Sequence, residues 1–147
     1  MVRKLFLCAF ALVTSILSIQ AQTQVIAHRG FWKTEGSAQN SITALEKAAE
    51  AKLYGSEFDV LMTVDGTLVV NHDRTIEGMD IPATPYKQLK KLKIKNGEKF
   101  PTLKNYLKKG KKLEIQLILE AKPLPTKEME DQAIAQIVKK KKKMGLE

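Results

Sequence analysis

Two histidines are the whole imidazole complement of this 147-residue chain, and each follows an apolar run. His28 ends Val25-Ile26-Ala27 and stands beside Arg29 and Gly30, while His72 follows Val69, Val70 and Asn71. Imidazole exchanges protons near neutral pH, so two histidines at strand ends form a candidate general acid and base. Glu57 and Asp59 lie two residues apart and share one face of an extended chain. Adjacent carboxylates repel unless a proton or cation intervenes, which makes a hard divalent metal a natural occupant; two solvated acids at a sheet edge are the alternative reading. Glu120 and Lys122 repeat the same spacing after an apolar run. Either Glu120 completes an oxygen-rich metal site and Lys122 meets a phosphate, or the two form a salt-bridged strand terminus. Two proton carriers, three carboxylates and two cations together suit displacement at a phosphodiester. Cations hold the phosphate oxygens, one imidazole activates the attacking hydroxyl, and the other protonates the leaving alkoxide.

The elements that must bring these groups together are legible from periodicity. Thr23 to Gly30 reads as a short buried strand. Apolar residues at Ile42, Leu45, Ala48, Ala49 and Leu53 then predict a helix, with Asn40 or Ser41 capping its start and Gly55 its end. Ser56 to Thr63 resumes strand character, and Asp65-Gly66 turns the chain into a second extended run that reaches His72. After Pro85, residues 86–94 predict a short amphipathic helix, and Pro101 to Lys109 another, closed by Gly110. Residues 112–122 form the next strand. The last helix runs from Thr126 to Met144, acidic at its start and lysine-rich at its end, which complements the helix dipole. Strand, helix, strand, helices, strand, helix is the order of an α/β protein with a parallel sheet, whose functional side chains gather where the strands end.

Residues 1–21 have the layout of a secretory signal peptide: Arg3 and Lys4, an apolar run from Leu5 to Leu17, and a small residue at Ala21. The run is short for a membrane span. Export to the periplasm, cell surface or extracellular space is therefore expected. Cys8 lies inside this segment, so the mature chain has no disulfide and no thiolate chemistry. The net charge of +9 falls to +7 without Arg3 and Lys4, still basic enough to favour anionic substrates. Lys139 to Lys143 reads as a solvated helix end rather than a nucleic-acid patch, because no aromatic residue interleaves with it.

Ala27-His-Arg-Gly30, Gln39 to Leu45, Glu57-Phe-Asp-Val60, Thr63 to Asp73 and Leu119-Glu-Ala-Lys122, in that order and spacing, resemble the glycerophosphodiester phosphodiesterase family. This TIM-barrel group is related to phosphatidylinositol-specific phospholipase C. The resemblance covers essentially all of residues 22–147. It implies hydrolysis of a glycerophosphodiester to an alcohol and sn-glycerol 3-phosphate, through attack by the neighbouring glycerol hydroxyl or by water. It also implies His28 and His72 as the acid/base pair, in either order, Arg29 and Lys122 as phosphate contacts, and Glu57, Asp59 and Glu120 as ligands of Ca²⁺ or Mg²⁺. The implied partner is a small-molecule substrate, with no nucleic acid, and membrane contact only through the leader or a lipid substrate.

Two departures from the family accompany the match. Ala38, Gln39, Asn40 and Ser41 stand where it usually has Pro-Glu-Asn-Thr, so the acid before the asparagine is an amide. A helix-start role survives that change, whereas electrostatic support from the acid to Arg29 does not. Phe31 and Trp32 either line a head-group pocket or pack the loop. Length is the second departure, because a barrel of eight βα units takes about 250 residues and only three units are recognisable here. The expected fold is the N-terminal part of a (β/α)8 TIM barrel, truncated after about three βα units, with open edges at its first and third strands. Competing readings are a non-catalytic remnant or anion-binding module, and a phospholipase-type phosphodiesterase acting on lipid head groups.

Overall fold

A computed structural model describes residues 23–146, and the expected signal peptide with Cys8 lies outside them. In chain order the elements are β1 (Ile26–Ala27), α1 (Ile42–Glu50), β2 (Gly55–Met62), β3 (Leu68–Val70), β4 (Thr75–Ile76) and β5 (Met79–Asp80). After them come α2 (Tyr86–Leu89), α3 (Leu103–Leu113), β6 (Gln116–Ala121) and α4 (Lys127–Met144). β2 is the centre of the main sheet, parallel to β1 on one side and to β6 on the other. β3 folds back antiparallel along the far end of β2. The expected alternation of strands and helices is therefore present, and no described helix is long and apolar enough to cross a membrane.

The two faces of β2 do different work. Phe58, Val60 and Met62 point to the helical layer and pack with Leu45, Leu103, Tyr106, Leu107 and Ala133. Phe58 stacks on Tyr106 with ring centroids 4.4 Å apart. Each such side chain contributes about 1.5–3 kcal/mol on burial. That offsets the cost of the carboxylates that alternation places on the other face of the same strand. Leu61, on the carboxylate face, joins Val69, Ile81, Leu89 and Phe100 in a second apolar cluster at the end of the strand.

Several boundaries differ from the sequence expectation. α1 ends at Glu50 and turns through Lys52 at φ +53°. Gly55 does not cap that helix but opens β2, where a Cβ would lie 2.5 Å from Ile118 Cδ1 and 2.9 Å from the Gln116 carbonyl oxygen. Gly110 likewise lies inside α3, where a side chain would collide with Leu117; Glu114, at φ +54°, ends that helix. The helix expected over 86–94 stops at Leu89, and a β-bridge between Lys93 and Lys99 forms instead around Asn96-Gly97, a strong hairpin signal. Between β4 and β5, Glu77 and Gly78 both adopt positive φ, as a type I′ hairpin turn requires.

Glu98 on the 93–99 hairpin has a role that periodicity did not show. Ser41 caps α1 by accepting from the Ala44 amide at 2.8 Å. Glu98 completes the cap, accepting from the Ile42 and Thr43 amides at 2.9 and 3.1 Å. Burial pushes the Glu98 carboxyl up, but hydrogen bonds from Thr43, Asn96 and Ile42 outweigh it and hold the group below the usual range. A depressed carboxylate adds stability that is present above its unfolded pKa and lost as pH falls through the folded value. Glu98→Gln is expected to cost about 1–3 kcal/mol at neutral pH and to flatten the loss of stability below about pH 4.5. Urea unfolding across that range checks both.

Candidate active site

β1 ends beside Ser56 and β6 beside Val60, so both strands terminate against the middle of β2 where Glu57 and Asp59 stand, and the chain leaves β1 under tight constraint. Gly30, at φ +78°, donates its amide to the Ala27 and Glu57 carbonyl oxygens at 3.2 Å each. A Cβ there would lie 2.6 Å from Ala44 Cβ and 3.0 Å from the Ala44 carbonyl carbon, so α1 and this loop can approach only over a glycine. Arg29 also takes positive φ, at +58°, a conformation that costs a non-glycine residue of order 1 kcal/mol or more. Two hydrogen bonds hold it: the Arg29 amide donates to Glu57 Oε2 at 2.8 Å, and the Asn40 amide to the Arg29 carbonyl at 2.9 Å.

Asp59 is the hub of the site and is fully buried. Asn40 Nδ2 donates to its Oδ2 at 2.9 Å, and its own amide donates back to Asn40 Oδ1 at 3.1 Å. Arg29 Nε stands 3.6 Å from Oδ2 and Lys122 Nζ 3.3 Å from Oδ1. Parallel register places Glu120 opposite Asp59, and Lys122 Nζ bonds Glu120 Oε1 at 2.7 Å. That hydrogen bond, with the nearby Asp59 charge, holds the Lys122 ammonium above its ordinary pKa.

Glu57, Asp59 and Glu120 each present an oxygen within 4.8 Å of the others'. Around them only two permanent cations, Arg29 and Lys122, make direct contact among the described residues, so three carboxylates are left one positive charge short. Burial, followed by the effect of the Asp59 charge against the compensating Arg29 amide, raises the Glu57 carboxyl above its usual range. Glu57 Oε1 is buried with no hydrogen-bond partner among the described residues. Oxygen ligands 2.3–2.6 Å from Ca²⁺ lie within about 5 Å of one another. The three carboxylates therefore fit a hard divalent cation in donor chemistry, spacing and charge.

The histidines are placed differently. His28 Nε2 lies 3.9 Å from Glu57 Oε2 with its side chain two-thirds exposed. It thus joins Arg29, Glu57, Asp59, Glu120 and Lys122 in one connected cluster. His72 makes no direct polar contact with that cluster; its Nδ1 is 2.7 Å from Asp73 Oδ1. The Asn71 amide, bonded to the Asp59 carbonyl at 3.1 Å, brings its segment alongside. His72 lines a cavity of about 190 Å³ with Trp32, Gln39 and Asn40. Trp32 lines that cavity, while Phe31 is exposed.

Asn40 and Gln39 make contacts that were not singled out from sequence, whereas Ser41 takes one of the two expected cap positions. Ser41 caps α1, which frees the Asn40 side chain to clamp Asp59. Gln39 Oε1 accepts from Arg29 Nη1 at 2.8 Å, so the amide keeps a hydrogen bond to Arg29 without a charge.

Residues 28–145, which contain both histidines, Arg29, Lys122 and the three carboxylates, match the family model of the Glycerophosphoryl diester phosphodiesterase family. The chain belongs to that family. Among curated relatives, a glycerophosphodiester phosphodiesterase of Caldanaerobacter subterraneus is 41% identical over 87 residues, 54% of this chain and 35% of the relative. A solved glycerophosphodiester phosphodiesterase from Parabacteroides distasonis is 54% identical with a TM-score of 0.82, over 84% of this chain and 52% of that one. An Oleispira antarctica phosphodiesterase, solved in complex with the product sn-glycerol-3-phosphate, is 28% identical with a TM-score of 0.73, over 83% and 53%. The α/β fold thus matches the TIM barrel of the family's phosphodiesterases. The chain spans about half the length of these solved relatives and about a third of the curated one.

Proposed function

We propose that this protein is an exported, metal-dependent glycerophosphodiester phosphodiesterase that releases an alcohol and sn-glycerol 3-phosphate. The observation that carries the proposal is the cluster of Glu57, Asp59 and Glu120 oxygens within 4.8 Å, flanked by Arg29 and Lys122 at the ends of parallel strands. Glu57, Asp59 and Glu120 would hold Ca²⁺ or Mg²⁺. Such a cation, when bound, neutralises the charge that develops on the phosphoryl oxygens. Arg29 and Lys122 bind and orient the non-bridging oxygens. One of His28 and His72 takes the proton from the attacking glycerol hydroxyl as the new P–O bond forms. The other gives a proton to the alkoxide as the old P–O bond breaks. The resulting cyclic phosphate is opened by water with the proton roles reversed. The signal-peptide-like pattern of residues 1–21, Arg3 and Lys4 before an apolar run, supports export.

To test this, the full chain is assayed for release of choline from glycerophosphocholine with Ca²⁺, with Mg²⁺ and after chelation. Hydrolysis that requires one of the metals is expected. Hydrolysis indifferent to chelation, or absent with both metals, overturns the reading.

A further inference from the structure

We propose that the lysine-rich rim at the amino-terminal ends of the parallel strands is a docking surface for an anionic membrane. It adds a contact beyond the leader and the substrate. It also lies away from the carboxylates, so lipid binding and diester hydrolysis can fail independently.

Chain direction assembles this rim. In a parallel sheet each helix returns the chain to the start of the next strand. The carboxyl ends of α1 and α3 therefore lead into the first residues of β2 and β6, and register sets those residues, Gly55 and Gln116, level with Ile26 of β1. A hydrogen bond from Lys111 Nζ to the Met144 carbonyl ties the end of α4 to the same level. Lys52 just after α1, Lys111 and Lys112 in the last turn of α3, and Lys141, Lys142 and Lys143 in the last turn of α4 are all exposed. Glu50 and Glu114 are the acids on the same helix ends, and none of the six lysines forms an ion pair among the described residues.

A helix dipole rewards a cation or two in the last turn. Lys111 already serves α4 in that way. The run from Lys139 to Lys143 goes further and sets like charges three and four residues apart, which costs helix stability. An opposing layer of anionic head groups turns that repulsion into attraction. Two neighbours select a membrane over other polyanions. Tyr54 and Val25, joined by a 3.0 Å bond from the Tyr54 amide to the Val25 carbonyl, are 45% and 54% exposed, and such side chains enter the head-group layer. Residues 1–22, with their apolar run from Leu5 to Leu17, join the described chain at Thr23, which lines a cavity with Lys52 and Tyr54. On the export proposed above, the lysine-rich end is the one nearest the membrane as the leader passes. Asp59 stands four residues beyond Gly55 on β2, about 13 Å along the strand. Docked by the rim, the carboxylates face away from the bilayer, toward water-soluble diesters rather than lipid head groups.

The chain is recovered from exporting cells, so that its amino terminus is the one processing leaves, and its binding to vesicles is measured by sedimentation. Wild type should bind vesicles of equimolar phosphatidylcholine and phosphatidylglycerol but not phosphatidylcholine alone. It should be released as salt rises from about 0.1 M to about 1 M, where the screening length falls to about 3 Å. Each lysine at an anionic surface is worth about fivefold in partitioning, so Lys141→Gln, Lys142→Gln and Lys143→Gln together should weaken binding about a hundredfold. Arginine at the same three positions keeps the charge and should stay within about threefold of wild type. Removing three charges at the other end of the sheet, by Lys87→Gln, Lys90→Gln and Lys91→Gln in and after α2, should cost less than about threefold. Thermal melting confirms that each variant folds. Equal binding to both vesicles, no binding to either, a loss in the α2 variant as large as in the α4 variant, or retention by an RNA duplex in place of the anionic vesicles overturns the proposal. Normal lipid binding without hydrolysis of glycerophosphocholine overturns the proposed activity alone.

Discussion

Asp59→Ala is expected to remove about 3–5 kcal/mol of folding stability, the cost of breaking a buried ion pair by deleting one partner. Asp59 is fully buried and accepts from Asn40 while facing Arg29 and Lys122. Without it the Asn40 amide loses its acceptor, and the Arg29 guanidinium remains four-fifths buried without its carboxylate. Domains of this size are stable by about 5–15 kcal/mol, so much of the margin would go. Asp59→Asn should be milder, because an amide oxygen can still accept from Asn40, but its NH₂ would then face the Lys122 ammonium. The two variants share one further consequence. Wild type should melt at a higher temperature as Ca²⁺ is added, by mass action on the folded state, and both variants should lose most of that rise. Urea unfolding with and without Ca²⁺ measures the two effects together. An Asp59→Ala protein within about 1 kcal/mol of wild type would mean that the Arg29 and Lys122 charges are solvated after all.

Most of the carboxylate cluster was legible because it obeys strand periodicity. Glu57 and Asp59 are on one face of β2 by alternation, and an apolar run before Glu120 is enough to mark a neighbouring parallel strand. The register that sets Glu120 opposite Asp59 was not legible and comes from the structure. Contacts made by Asn40 and Gln39 were not legible in the same way. Both side chains are aimed by a backbone that takes positive φ at Arg29 and Asn40, and no hydrophobic period encodes such a turn. Asn40 also reads equally well as a helix cap, and only the structure gives that role to Ser41. Gly55 and Gly110 show the same ambiguity in another form. Glycine follows helices for its left-handed freedom, and it also sits wherever a neighbouring chain comes too close for a Cβ. At both positions the second reason holds. The 93–99 hairpin lay behind an apolar spacing at Leu89, Leu92 and Ile94 that also fits a helix, and Asn96-Gly97 was the signal that should have decided it.

The histidines should give the opposite signature to Asp59, a large kinetic loss at nearly constant stability. His28→Ala and His72→Ala are each expected to lower kcat by about 10²–10⁴-fold, the range for removing a positioned general acid or base. Neither should move the melting temperature by more than a degree or two. His28 is two-thirds exposed and meets Glu57 only at 3.9 Å, while His72 is a third exposed and bonded to an exposed Asp73. The double variant should be far less impaired than the product of the single losses, because two groups that shuttle protons in one displacement act as a unit. Asp73 provides a finer test of His72. An ionised carboxylate only accepts, so the 2.7 Å contact puts the proton on Nδ1 and leaves Nε2 available for the proton exchange proposed above. Asp73→Asn can present its NH₂ to Nδ1 and favour the other tautomer, which should reduce kcat about tenfold or more while KM stays within a few-fold. Activity of His72→Ala within tenfold of wild type would take His72 out of the reaction, and the Asp73→Asn effect would have to vanish with it.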